Sequence, residues 1–220
     1  MDISERLKKA DERRQRYQGF VISSFVRSVG RHLRKSKAKR LLEVGTGSGT
    51  AVIKLKALLP DTSVYGLDIK EGLVRLATEK SGDSRRCYFL AGDVHNLPFQ
   101  DNIFDCVIGK STLCYWERPL EGLAEIKRVL KRGGLVIFFE QNPRSVVARL
   151  YVASGIGDFI FRGLVEDETY GEIFNSEFFL GISYPREKIR QMLRQVGVGR
   201  LSIKRKLLGS FFLIVFDFSE

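Results

Sequence analysis

Residues 41–49 read LLEVGTGSG, an apolar run that closes on three glycines at every second position. Such a run reads as a short buried strand ending in a turn of bare backbone. Gly45 and Gly47 let the turn close tightly and bring backbone N–H groups against a ligand, while Gly49 opens a helix over TAVIKLKALL. The start of that helix offers unpaired N–H groups and positive potential to a carboxylate or phosphate. The spacing is GxGxG, one residue short of the GxGxxG of dinucleotide-binding folds. Glu43, two residues before the first glycine, is poorly placed for a pyrophosphate and well placed for a ligand ammonium group.

Outward from this turn, short apolar runs alternate with helical patterns. SVYGLD (63–68), RCYFLAGD (86–93), FDCVIGKS (104–111) and LVIFFE (135–140) read as further strands. Helices are expected over AVIKLKALLP, stopped by Pro60, and over EGLVRLATEKSG (71–82). Another is expected over LEGLAEIKRVLKRGG (120–134), with Leu120, Leu123, Ala124, Ile126, Val129 and Leu130 as its buried stripe and Lys131–Gly134 as its exit. The link DVHNLPFQDNI is too short for a full crossover helix and reads mostly as loop. Near the end, SYPREKIRQMLRQVGVG reads as a helix entered through Pro185 and ended by Gly197. Two strands then turn near Gly209 and Ser210. The pattern predicts an α/β fold: a doubly wound, mostly parallel seven-stranded sheet, helices on both faces, and an antiparallel C-terminal hairpin.

The 220 residues suit one domain, or one domain with an attached subregion. Net charge is +11, and residues 1–40 carry +9 of it. That basic region, with a helical pattern over 19–36, suits an anionic partner such as nucleic acid or a lipid surface; it equally suits a solvated face. Three cysteines without a CxxC pair, and two histidines, make no zinc set, so no metal is expected. The sparse cysteines and a charged N-terminus suggest a reducing, cytoplasmic setting. No apolar stretch reaches the roughly 18 residues of a membrane span. Composition leaves the oligomeric state open.

Asp68 ends the second strand, where a carboxylate can accept both hydroxyls of a ribose or instead cap the next helix. Ile69 is placed to lie on an adenine ring. Asp93, after the third strand, can accept from an adenine amino group or make a local turn.

In order, LLEVGTGSG, VYGLD, GDVHNLPFQDNIFDCV and EIKRVLKRGGLVIFFE resemble the class I S-adenosylmethionine-dependent methyltransferases. The likeness is to the small-molecule group that includes quinone and sterol methyltransferases, and it covers about residues 38–140. It implies S-adenosyl-L-methionine as cofactor. Gly45, Thr46, Gly47 and Gly49 would line the loop, with Glu43 near the methionine end. Asp68 would take the ribose, Ile69 the adenine face, and Asp93 with Val94 the adenine edge. Lys110 and Ser111 would flank the methionine portion and the transfer site. The usual proline before the paired glycines is Arg132 here, and GKSTLCYW stands where amino-methylating nucleic-acid enzymes carry an Asn/Asp-Pro-Pro-aromatic run. That departure argues against exocyclic base amines as acceptors.

Composition and pattern divide the chain into a basic helical region (1–37), a Rossmann-like cofactor half (38–142), an aromatic-rich insertion (143–184) and a C-terminal helix with two strands (185–220). The sulfonium activates the methyl group, so transfer requires alignment above all, and no catalytic base is named. Cys114, Tyr115 and Trp116 are candidates to line an acceptor pocket, as are Tyr151, Tyr170 and Phe174 of the insertion; core packing would account for either set. The leading expectation is methyl transfer to a small, apolar or aromatic organic acceptor. The alternative is an RNA or protein methyltransferase that holds its substrate through the basic N-terminal region. Two further readings are a nicotinamide-dependent oxidoreductase and a silent nucleoside-binding module.

Overall fold

A computed structural model describes residues 3–36, 38–146 and 183–219. The proposed insertion falls almost wholly outside the described residues, and with it Tyr151, Tyr170 and Phe174.

Five strands are parallel neighbours: β1 (Arg40–Val44), β2 (Ser63–Asp68), β3 (Cys87–Ala91), β4 (Phe104–Lys110) and β5 (Leu130–Gln141). The C-terminal pair β6 (Val198–Lys206) and β7 (Phe211–Phe218) is antiparallel, and β7 pairs antiparallel with β5. The sheet order is β3-β2-β1-β4-β5-β7-β6. The chain runs outward from β1 to β3, then returns to build β4 and β5 on the other side. This reversal opens a crevice at the carboxyl ends of β1 and β4, the place where open α/β sheets bind ligands. The seven-stranded, mostly parallel expectation is met, and the link between β3 and β4 contains no helix.

Both faces of the central strands are apolar, as a sheet covered on two sides requires. Leu42, Val44, Val107, Val136, Phe138, Ile214 and Phe216 face helices α4 (Pro119–Val129) and α5 (Arg186–Gln195), which contribute Leu123, Ile126, Ile189 and Leu193. On the opposite face, Leu41, Cys106, Ile108, Ile137 and Phe139 meet α1 (Ile3–Ser36) and α2 (Thr50–Leu58). A further helix, α3 (Glu71–Ser81), packs against β2, β3 and α1.

Two elements extend differently from their apolar patterns. The helical pattern over 19–36 belongs to one 34-residue helix from Ile3, which fills the region expected to be helical (1–37). Its apolar face, Ile22, Phe25, Val26, Val29 and Leu33, is built into the core, with the Phe25 ring 5.9 Å from that of Phe139. Residues 3–18 are too polar to show a period, because Leu7, Ala10 and the carboxyl of Asp11 fill their buried face.

The second is α4, which stops at Val129: Leu130 is already extended and pairs with Phe104 across a bulge. Lys131–Gly134 therefore belong to β5, and Lys131 reaches Asp105 at 2.6 Å. Leu120 and Ala124 are exposed, and the buried stripe is Gly122, Leu123, Ile126 and Val129. Gly122 is needed there because a Cβ would stand 2.8 Å from the ring of Trp116. Among the described residues, no helix is long and apolar enough to cross a membrane.

Candidate functional site

A cavity of about 360 Å³ opens at the crevice. Its walls come from four places that the chain order separates widely. The end of β1 and the loop after it supply Glu43, Gly45, Thr46 and Gly47, and the end of β2 supplies Asp68 and Ile69. Asp93, Val94 and His95 follow β3, while Lys110, Ser111, Thr112, Tyr115 and Trp116 follow β4. Ile22 of α1 completes the lining with Thr50, Ala51, Lys70 and Leu73.

The glycine loop is as tight as its spacing implies. Gly45, Gly47 and Gly49 have φ of 69°, 57° and 73°, a region that side chains rarely adopt. A Cβ on Gly49 would stand 2.7 Å from the Phe89 ring, and one on Gly45 would overlap Thr112 Oγ1. The loop is bare partly so that the β4 loop can lie against it. Three of its N–H groups are engaged within the protein: Thr46 donates to Leu67 O at 3.0 Å, Gly47 to Asp68 Oδ2 at 2.7 Å, and Gly49 to Thr46 O at 3.1 Å. Gly49 caps α2, as expected.

Asp68 is not the N-cap of α3, a place that Lys70 takes. Oδ1 accepts the N–H of Lys70, the residue that caps α3, at 3.0 Å while Oδ2 holds Gly47. Each oxygen has one further lone pair for a pair of vicinal hydroxyls. Ile69 beside it is 68% exposed, an uncovered apolar surface at the cavity. Burial pulls the neighbouring Lys70 ammonium below its usual range, against the opposing pull of Asp68.

Asp93 Oδ1 accepts both the backbone N–H and Nδ1 of His95, at 2.9 and 2.6 Å. The backbone N–H of His95 first, then the hydrogen bond from its ring, hold the Asp93 carboxyl below its ordinary range. His95 Nε2 accepts the N–H of Arg118 at 3.3 Å, which places the ring proton on Nδ1 and occupies the lone pair a base would need.

Glu43 is buried at 2% exposure and accepts from Thr46 Oγ1 at 2.8 Å. Opposite it, the β4 loop turns sharply through Ser111, a non-glycine with φ of 49°. The turn aims the N–H groups of Thr112 and Leu113 at Glu140 Oε1, 3.1 and 3.2 Å away. Trp116 Nε1 in turn donates to Thr112 Oγ1 at 3.2 Å. Tyr115 and Trp116 line the cavity; Cys114 does not, and burial, aided by Glu140, pushes its thiol up to about 12. Sequence reasoning missed Ile22, Thr112 and the part played by Glu140. Ile22 was within reach, since it lies on the same helical face as Phe25, Val26 and Val29.

Glu140 is fully enclosed, and burial pushes its carboxyl up to about 7, opposed by the two N–H donors and by Lys110. A folded value above the unfolded one means stability that is complete below about pH 4 and lost as pH rises through about 7. Glu140→Gln keeps an acceptor for both N–H groups and removes the titration. Thermal unfolding is expected to lose about 2 kcal/mol of stability between about pH 5 and pH 8 in the parent and much less in the variant. Equal pH slopes would show that Glu140 is not the group responsible.

Comparison with known proteins places this geometry. A family model described as "Methyltransferase domain" matches residues 42–138. A demethylmenaquinone methyltransferase of Deinococcus radiodurans is 32% identical over 72% of this chain and 67% of its own length. An uncharacterized methyltransferase of Schizosaccharomyces pombe is 34% identical over 46% of the chain, which spans only 39% of that relative. The crystal structure of a methyltransferase from Methanococcus maripaludis, described as S-adenosyl-L-methionine-dependent, superposes with a TM-score of 0.66 at 20% identity, covering 97% of this chain and 94% of that one.

Proposed function

The chain belongs to the class I S-adenosylmethionine-dependent methyltransferases, and from that premise we propose that it methylates a small, apolar or aromatic organic acceptor. One observation carries the reading: a single cavity joins the glycine loop, Asp68 and Asp93 to the aromatic wall of Tyr115 and Trp116. The relative from D. radiodurans, named for demethylmenaquinone, supports the same class of acceptor. S-adenosylmethionine, when bound, supplies a methyl group activated by its sulfonium.

The chain's own residues bind and align. Asp68 accepts the ribose hydroxyls with the lone pairs left by Gly47 and Lys70. Ile69 packs on the adenine, and Val94 and Asp93 meet its edge. Gly45, Thr46 and Gly47 shape the wall beneath the methionine part, where Glu43 and Lys110 supply opposite charges for its ammonium and carboxylate, while Gly49 stands outside the lining as the cap of α2. Ser111, Thr112, Tyr115 and Trp116 form the acceptor side, held in place by Glu140 through the N–H groups of Thr112 and Leu113. Ile22 and Trp116 exclude water from the transfer site. No base is assigned, because displacement needs one only when the acceptor keeps its proton at neutral pH. Free Cys87, Cys106 and Cys114 suit a reducing, cytoplasmic setting.

The deciding experiment follows S-adenosylhomocysteine formation with three pools as acceptor: apolar phenols and quinols, bulk RNA, and unfolded protein. Turnover with the first pool alone is expected. Turnover confined to RNA or protein would replace the small-molecule reading with the macromolecular one.

A further inference from the structure

The face of α1 that points away from the cavity carries a row of arginines. Arg13, Arg16, Phe20, Arg27, Arg31 and Arg34 are all exposed, and their spacings of 3, 4, 7, 4 and 3 place them on one stripe along the helix. The more N-terminal Lys8 and Lys9 are neutralised by Glu79 and Glu5, at 2.9 and 3.1 Å. None of the five arginines has a carboxylate partner among the described residues, so the stripe is a line of uncompensated positive charge. In its middle stands Phe20, a large aromatic 68% exposed to water.

A solvated face needs no exposed aromatic between its charges. A bare apolar side chain flanked by arginines is the arrangement that meets an anionic headgroup layer with an apolar layer beneath it. The helix cannot insert its other face, because Ile22, Phe25, Val26 and Val29 are fixed in the core. Contact is therefore electrostatic, with Phe20 as a single shallow anchor. Ile22 lines the cavity from the opposite side of the same helix, so a surface bound at the stripe lies one helix diameter, about 10 Å, from the site wall.

We infer that the Arg13–Arg34 stripe with Phe20 docks the enzyme on an anionic lipid bilayer, holding the cavity about one helix diameter from a layer that dissolves apolar acceptors. The inference rests on the apolar-acceptor reading, but its test does not use turnover, so the two can fail separately. Docking on the membrane and methylation of a membrane-dissolved molecule are distinct observations.

The test is sedimentation of the full chain with vesicles of phosphatidylcholine, with and without phosphatidylglycerol. Salt-sensitive binding to the anionic vesicles alone is expected. Arg27→Gln, Arg31→Gln and Arg34→Gln together should weaken it about 100-fold, at about 1 kcal/mol per charge near the surface. A control that removes three exposed charges elsewhere, Lys188→Gln, Arg190→Gln and Lys204→Gln, should change it by no more than about 3-fold, since only charges near the surface contribute. Phe20→Ser should weaken binding in both low and high salt. S-adenosylhomocysteine affinity should be the same in all variants, which reports that each is folded. Absent vesicle binding, equal losses in stripe and control variants, or binding to RNA in place of vesicles would each overturn the assignment.

Discussion

Asp68→Ala is expected to weaken S-adenosylhomocysteine binding by several hundred-fold in isothermal titration. Two hydroxyl bonds to a charged acceptor disappear, each worth about 1.5–3 kcal/mol. The same substitution frees the N–H of Gly47 and so loosens the glycine loop, which the carboxylate holds at 2.7 Å. Asp68→Asn separates the two effects. Its amide oxygen can keep one acceptor, so a loss of about 10- to 30-fold is expected, about 1.5–2 kcal/mol for the charge and the second bond. Melting temperature should fall little in the Asn variant, since only one backbone donor loses its partner. Unchanged affinity in Asp68→Ala would mean that the ribose is held elsewhere, and the assignment of this cavity to the cofactor would fail with it.

The position of Asp68 follows from strand patterning alone. SVYGLD spans the strand found, and its terminal acid had to sit at the carboxyl edge of the sheet. The GxGxG turn was legible for the same reason: its φ values admit glycine almost alone. What was not legible depends on two distant segments at once. Thr112 and Glu140 are ordinary residues until β4 and β5 pair and Ser111 turns the loop toward the Glu140 carboxyl. Gly122 has no place in an apolar stripe read from sequence, and only the Trp116 ring pressed against it gives its reason. The start of α1 shows no apolar period for a different reason, since its buried face is partly polar and hydrophobic periodicity cannot see a buried carboxylate.

That carboxylate, Asp11, sets the second large effect. It is 2% exposed and accepts from Ser48 Oγ at 2.5 Å, Lys80 Nζ at 2.6 Å and Gln15 Nε2 at 2.7 Å. Lys80 also donates to Thr50 Oγ1 at 2.9 Å, so one ion pair ties α1 to the glycine loop and to α3. Removing one member leaves the other charge partly buried, a change that costs about 3–5 kcal/mol. Asp11→Ala is therefore expected to lower the melting temperature by about 6–20 °C, at about 2–4 °C per kcal/mol for a chain of this size. Lys80 keeps hydroxyl partners and a quarter of its side chain exposed, which favours the lower end. The double variant Asp11→Leu/Lys80→Met removes both charges at once and should recover much of the loss. Because Ser48 sits between Gly47 and Gly49, Asp11→Ala should also weaken cofactor binding, while the double variant regains stability without regaining that affinity. If the single variant melted like the parent, α1 would be docked by its apolar face alone, and the pair would have to be read as a surface contact that contributes little.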